Sequence, residues 1–229
     1  MQHILLLHGA IGAKDQLDPL AERLSSACTV HTLNFTGHGG EPFNGENFSI
    51  PLFAAEVLDY LREKKISSIN IFGYSMGGYV AMFLAKYHPA VVGRIITLAT
   101  KFHWDGSIAA REVKMLDADT IVQKLPVFAE QLAKRHHPND WKLVLEKTKD
   151  MLTGLGIHNT LQPEDYKAIT APCLLLLGDK DKMITLEETL TVQDNLPNGI
   201  YCSLPGTPHP IEQVNPEMLA SFITEFVSG

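Results

Sequence analysis

Residues 69–78, Ile-Asn-Ile-Phe-Gly-Tyr-Ser-Met-Gly-Gly, run from an apolar, strand-like stretch directly into Gly73, Ser75, Gly77 and Gly78. A proline-free segment over 76–87 follows, with Val80, Met82, Phe83 and Leu84 at helical spacing. A serine that ends a strand and starts a helix within one tight turn is held in a strained backbone conformation. The positions two before and two after it then have no room for a Cβ. Gly73 and Gly77 meet that requirement. Such a turn lifts the Ser75 hydroxyl above the sheet edge and aims a helix N-terminus at it, which suits a nucleophile that passes through an oxyanion. A glycine-rich turn that holds a serine by accident shares the pattern, so the surrounding chain decides between the two.

Strand and helix signals alternate on both sides of this turn. Residues 4–7 form a continuous apolar run, as expected of a strand buried on both faces of a parallel sheet. They lead into His8-Gly9-Ala10-Ile11-Gly12, whose small residues allow a sharp turn with free amides above the sheet. A helix is expected over 15–26, with Leu17, Leu20, Ala21 and Leu24 on one face and Pro19 in its first turn. A strand is expected over 29–35, a loop over 36–40, and a helix from an N-cap at Ser49, with Pro51 just inside it, to residue 65. Further strands are expected at 93–100, 173–177 and 200–204, and further helices at 186–195 and 216–227. Between 103 and 167 no strand pattern occurs, while 119–135, kinked at Pro126, and 139–153 carry apolar residues at helical spacing. The expected fold is α/β, a doubly wound, mostly parallel sheet of about six strands. Its core spans 1–102 and 168–229, with a helical lid inserted at 103–167.

Composition narrows the class of partner. With 229 residues, 45% hydrophobic and 20% charged, the chain can bury one full core with an inserted subdomain. A net charge of −7 without any lysine or arginine run argues against a nucleic acid or an anionic membrane as partner. Cys28, Cys173 and Cys202 are spaced too widely for a disulfide framework or a zinc site and are expected to be reduced core residues. No ligand cluster is tight enough to suggest a metal. Four consecutive apolar residues near the start are too few for a signal-peptide core or a membrane span, so a cytoplasmic location is expected.

Three loops after expected strands bring a serine, an aspartate pair and a histidine to one sheet edge: Ser75, then Asp179 or Asp181, then His209. A serine hydroxyl needs a neighbouring imidazole to take its proton, and that imidazole needs a carboxylate to fix its tautomer. Of the ten histidines, only His209 sits in a post-strand loop after the aspartates. Asp105 is a remoter candidate for the acid.

The motifs HGAIG at 8–12, GHGG at 37–40, GYSMGG at 73–78, GDKD at 178–181 and GTPH at 206–209 span essentially the whole chain. In this order they resemble the α/β-hydrolase family, specifically its small lidded serine esterase and C–C hydrolase branch. The resemblance implies the α/β-hydrolase fold, with Ser75 as nucleophile, His209 as general base and Asp181 as orienting acid, leaving Asp179 as a turn residue. It places the oxyanion hole at the backbone N–H groups of Ala10 and Met76, with His8 as a structural group beneath it, and calls for no cofactor. Two departures stand out. The family's D-x-x-G-x-G-x-S loop here starts at Asn34 and ends at Glu41, which bears on local structure more than on activity. Strands that precede the first motif in the family are absent, leaving six parallel strands trimmed at one edge.

The implied activity is hydrolysis of small carboxylic esters, with a small-molecule substrate. The alternative is C–C hydrolysis, a cofactorless lyase reaction or perhydrolysis on the same residues, and the remote one a non-catalytic ligand-binding protein. A serine at the turn argues against dehalogenase and epoxide hydrolase chemistry, for which the family uses aspartate. Within the insertion, Trp104, Met115, Phe128, Trp141 and Met151 are candidate pocket walls, and Arg111 and Arg135 are candidates to meet a substrate carboxylate. His136, His137 and His158 also lie in the insertion, where they are candidates to line the pocket, with solvated lid positions as the favoured reading.

Overall fold

The computed structural model describes residues 2–229. Six strands, β1 (Gln2–Leu7), β2 (Cys28–Thr32), β3 (Ile69–Tyr74), β4 (Val92–Leu98), β5 (Cys173–Gly178) and β6 (Gly199–Leu204), form one sheet in the order β2-β1-β3-β4-β5-β6. Every pairing is parallel. The helices are α1 (Asp18–Leu24), α2 (Ile50–Lys64), α3 (Met76–Tyr87), α4 (Gly106–Lys114), α5 (Ala118–Lys124), α6 (Pro126–His136), α7 (Trp141–Ile157), α8 (Pro163–Tyr166), α9 (Leu186–Asn195) and α10 (Pro216–Ser228).

The period-2 geometry of the strands divides the core into two layers. In β1, Leu5 and Leu7 join one layer with Phe53 and Val57 of α2, Tyr79 and Val80 of α3, and Val192 of α9. Ile4 and Leu6 join the other, with Leu20 and Leu24 of α1 and Leu219 and Ile223 of α10. Each such fully buried aliphatic or aromatic side chain contributes roughly 1.5–3 kcal/mol relative to exposure, so both faces of the sheet are anchored. α2 illustrates how the sequence sets an element. The Ser49 hydroxyl accepts the Leu52 amide (3.2 Å), Pro51 sits in the first turn, and Ile50, Phe53, Ala54, Val57 and Leu61 form the buried stripe.

From β1 the chain moves outward to β2, returns to β3 on the other side of β1, and then continues outward through β6. The connections leaving β1 and β3 therefore diverge, and a crevice opens above the carboxyl ends of these two central strands.

Several boundaries differ from the sequence reading. The helix expected over 15–26 is a 3₁₀ turn (Lys14–Leu17) followed by α1, with Pro19 in the first turn of α1. β2 ends at Thr32, because the backbone beyond it leaves the sheet and the Phe35 amide bonds the His8 ring (3.2 Å). Pro126 breaks the helix expected over 119–135 into α5 and α6 rather than kinking it, occupying the first turn of α6 where its missing N–H costs nothing. α4 and α8 were not expected. α4 fully buries only Ala109 and Glu112, with Val113 partly buried against the core, and it is started by Asp105, whose carboxylate accepts the Ser107 and Ile108 amides at 2.8 Å. Between β4 and β5 lie α4 to α8 and no strand. All three cysteines are free; Cys28 and Cys173 are buried, whereas Cys202, on the edge strand β6, is half-exposed and not a core residue. Among the described residues no helix is long and apolar enough to cross a membrane.

Candidate active site

The turn between β3 and α3 has the geometry that its glycines predict. Ser75 has φ 51° and ψ −116°, a conformation that costs a non-glycine residue roughly 1–3 kcal/mol. It is held there by its own N–H, which donates to the Leu98 carbonyl (2.8 Å), and by its carbonyl, which accepts from Gly78 (3.0 Å). A Cβ at Gly77 would strike the carbonyls of Leu7 and His8, and one at Gly73 the Gly77–Gly78 peptide. The glycines thus let the turn press against the exit of β1, where a Cβ at Gly9 would stand 3.2 Å from that of Ser75.

His209 arrives on the loop after β6. Its Nδ1–H donates to Oδ2 of Asp181 (2.8 Å), in the loop after β5. The other oxygen, Oδ1, accepts the amides of Met183 (2.7 Å) and Ile184 (3.0 Å), and the carboxylate is 1% exposed. Burial acts to raise the Asp181 pKa, but the His209 hydrogen bond and the two amides outweigh it, so the group is held below the usual carboxylate range. With Nδ1 committed as a donor, Nε2 carries the free lone pair and can accept a proton. Tyr74, next to Ser75, donates its hydroxyl to the His209 carbonyl (3.1 Å), a brace that nothing in the sequence pattern signals. Asp179 is exposed and does not meet the imidazole; its carboxylate accepts the Thr207 amide (3.3 Å) and so steadies the loop carrying His209. Asp105, the remoter candidate, is the cap of α4.

The turn at 9–12 faces this pair across the crevice. It closes through the Gly12 amide to the Gly9 carbonyl (3.1 Å), and Ile11 stands at φ 51°, an outlier conformation for a β-branched side chain. His8 lies fully buried below it, donating from Nδ1 to the Gly9 carbonyl (2.8 Å) and accepting the Phe35 amide at Nε2. His136, read from sequence as solvated, is in fact fully buried, because α6 turns its last residue inward: Nε2 meets the Ile11 carbonyl (3.0 Å) and Nδ1 the Gly39 amide (3.1 Å). His137 and His158 are exposed. His38 stacks on Phe48 between His8 and His136, with ring centroids 5.1 and 5.8 Å away. Asn34, the departure from the family pattern, bonds the Lys14 amide (2.8 Å) and the Gly39 carbonyl (3.1 Å), so the loop is braced by the amide side chain.

Burial pushes the pKa of His8 and of His136 down to about 4, and that of His38 well below its ordinary value. Between pH 6.5 and about 4 an unfolded chain protonates residues 8 and 136 while the folded chain does not. Stability therefore falls as pH drops through that window, by on the order of 2–3 kcal/mol per histidine. Glu56, which burial raises to about 7, acts oppositely, since the folded state takes its proton more readily. Urea unfolding of Glu56→Gln should accordingly lose stability steadily from pH 6.5 to 4; a flat profile would contradict the neutral histidine cluster.

Ser75, Met76, Gly9, Ala10 and His209 line one cavity of about 350 Å³. Its outer wall is Trp104, Met115, Phe128, Met151 and Leu155 from the insertion. Trp141 instead packs against Ile121, Leu132 and Leu145 outside the cavity. Arg135 lines the cavity but is paired with Glu212 (3.1 Å), which also accepts Gln16 (2.5 Å), while Arg111 is bound to Glu112 (3.1 Å). Among the described residues no three His, Cys, Asp or Glu side chains are grouped to hold a metal. A strained serine and an imidazole oriented by a carboxylate, both lining one apolar cavity, are groups of the kind that nucleophilic acyl transfer uses.

The sequence profile described as the alpha/beta hydrolase family matches residues 4–221. The chain is 22% identical to a provisionally named esterase/lipase of Haemophilus influenzae, over 98% of this chain and 83% of that one. It is 25% identical to a Bacillus subtilis protein provisionally named 2-succinyl-6-hydroxy-2,4-cyclohexadiene-1-carboxylate synthase, over 99% and 90%. The solved enol-lactonase of Burkholderia xenovorans shares the fold, with a TM-score of 0.79 at 17% identity over 100% of this chain and 92% of that one.

Proposed function

The chain belongs to the alpha/beta hydrolase family, and from that membership we propose that it is a serine hydrolase that cleaves small carboxylic esters through an acyl-enzyme on Ser75. The observation that carries the reading is the 2.8 Å bond from His209 to a buried Asp181, beside the cavity that Ser75 also lines. In this reading His209 Nε2 takes the Ser75 proton as Oγ attacks the ester carbonyl, and Asp181 steadies the resulting imidazolium. The N–H groups of Ala10 and Met76 receive the oxyanion. As the tetrahedral intermediate collapses, the imidazolium returns its proton to the leaving alkoxide. Water then repeats the sequence on the acyl-enzyme, with His209 again as base.

These groups suffice for the chemistry without a cofactor. Residues 103–167 act as a lid over a core of 1–102 and 168–229, and the apolar wall they supply suits an acyl or alcohol portion of modest size. Three free cysteines suit a reducing compartment, in keeping with a cytoplasmic location.

The likeness to a protein named as a cyclohexadiene-carboxylate synthase favours a second reading, a lyase or C–C cleavage on the same three side chains. A panel of activated esters graded by acyl length, run beside a ring-fission diketo acid, separates the two. Ester turnover that peaks at short to medium chains is expected. Cleavage of the diketo acid with the esters untouched would support the second reading instead.

A further inference from the structure

We propose that His136, in the last turn of α6, is a positioning residue for the oxyanion hole: by holding the Ile11 carbonyl it fixes the 9–12 turn that carries the Ala10 amide. What the turn does in catalysis rests on the esterase reading above; what holds the turn rests on geometry alone.

The two hydrogen bonds of His136 set its tautomer between them. The Gly39 amide is a donor, so Nδ1 must accept (3.1 Å), and Nε2 must carry the hydrogen that is donated to Ile11 (3.0 Å). The other restraints on the turn act elsewhere. His8 and the Gly12 amide both grip the Gly9 carbonyl, whereas His136 is the partner of the Ile11 carbonyl among the described residues. Ile11 is also the residue in most need of restraint, since a β-branched side chain at φ 51° persists only where its surroundings over-determine it. A peptide that relaxed there would swing the neighbouring Ala10 amide away from the crevice.

α6 is a suitable strut because its end is tied down on several sides. Arg135 pairs with Glu212, three residues beyond His209. Asn139 donates to the carbonyls of Gly37 (3.1 Å) and Glu41 (2.6 Å), and the His137 carbonyl lies so close to Gly40 that a Cβ there would come within 2.7 Å of it. The His136 ring is completely shielded from solvent and meets His38 edge to face. Consequently the insertion does more than cover the cavity: its middle helix reaches back to register the β1 turn with the loop after β2.

Two isosteric variants separate positioning from packing. In His136→Gln the amide nitrogen reaches the place of Nε2 and keeps the donor to Ile11; in His136→Asn the shorter side chain keeps only the acceptor for Gly39. His136→Asn is expected to lower kcat for the best ester about 10- to 100-fold with KM within about threefold, the scale of a misplaced oxyanion donor. His136→Gln should restore kcat to within about threefold of the native value. Amide hydrogen exchange over 9–12 should quicken about tenfold or more in the Asn variant and not in the Gln variant, a readout that does not depend on turnover. Equal losses in both variants, a change confined to KM, or unchanged exchange in His136→Asn would overturn the proposal. If Ser75→Ala kept full turnover, the esterase reading would fall, while the exchange measurement would still decide whether His136 holds the turn.

Discussion

Ser75→Ala should reduce kcat for ester cleavage by about 10⁶-fold and leave the protein folded. Loss of the nucleophile from a serine, histidine and carboxylate set removes the covalent route, and only binding and oxyanion stabilisation remain to favour attack by water. The fold should tolerate the change. The Ser75 side chain makes no capping hydrogen bond to α3, and the strained φ of 51° is maintained by backbone bonds to Leu98 and Gly78 that alanine keeps. Urea unfolding should therefore move by less than about 1 kcal/mol. A loss of activity below about 100-fold in a well-folded variant would show that the hydroxyl is not the nucleophile.

Asp181→Asn should cost about 10⁴-fold in kcat, and the structure gives the reason. Oδ1 of Asp181 receives two backbone amides, from Met183 and Ile184, so an asparagine would turn its carbonyl oxygen to that side and its NH₂ toward His209. Facing a donor, Nδ1 of the imidazole would have to accept, which moves the ring proton to Nε2 and removes the lone pair needed to take the Ser75 proton. The same substitution at Asp179, which faces solvent and bonds only the Thr207 amide, should change kcat by less than about threefold. Rates of the two variants on one ester provide the check, and equal losses would assign the acid wrongly.

Much of this arrangement was legible because chemistry and backbone geometry constrain the same residues. Gly73, Ser75 and Gly77 announce the turn, since a Cβ at Gly77 would strike the Leu7 and His8 carbonyls and one at Gly73 the Gly77–Gly78 peptide. The alternation of strands and helices places the loops after β3, β5 and β6 on one edge, which is why residues far apart in sequence, His209 and Asp181, meet. Legibility fails where a residue's role depends on how two elements cross. His136 sits in a polar stretch beside Arg135 and His137, and only the path of α6 after the break at Pro126 turns it inward. Likewise Tyr74 reads as one more buried strand residue until its hydroxyl is seen on the His209 carbonyl. α4 was hidden for a simpler reason: it is only nine residues long, opens on Gly106 and Ser107, and puts the charged Glu112 on its buried side, so its few apolar positions do not stand out from the loops around it.

The proposed mechanism turns on a covalent acyl group at one hydroxyl. Rapid quenching of the protein with a slowly deacylating activated ester, followed by peptide mass mapping, tests it directly. The acyl mass should appear on the peptide containing Ser75, accumulate with the burst of released alcohol, and be absent from Ser75→Ala. Steady ester turnover with the label on another residue would contradict it.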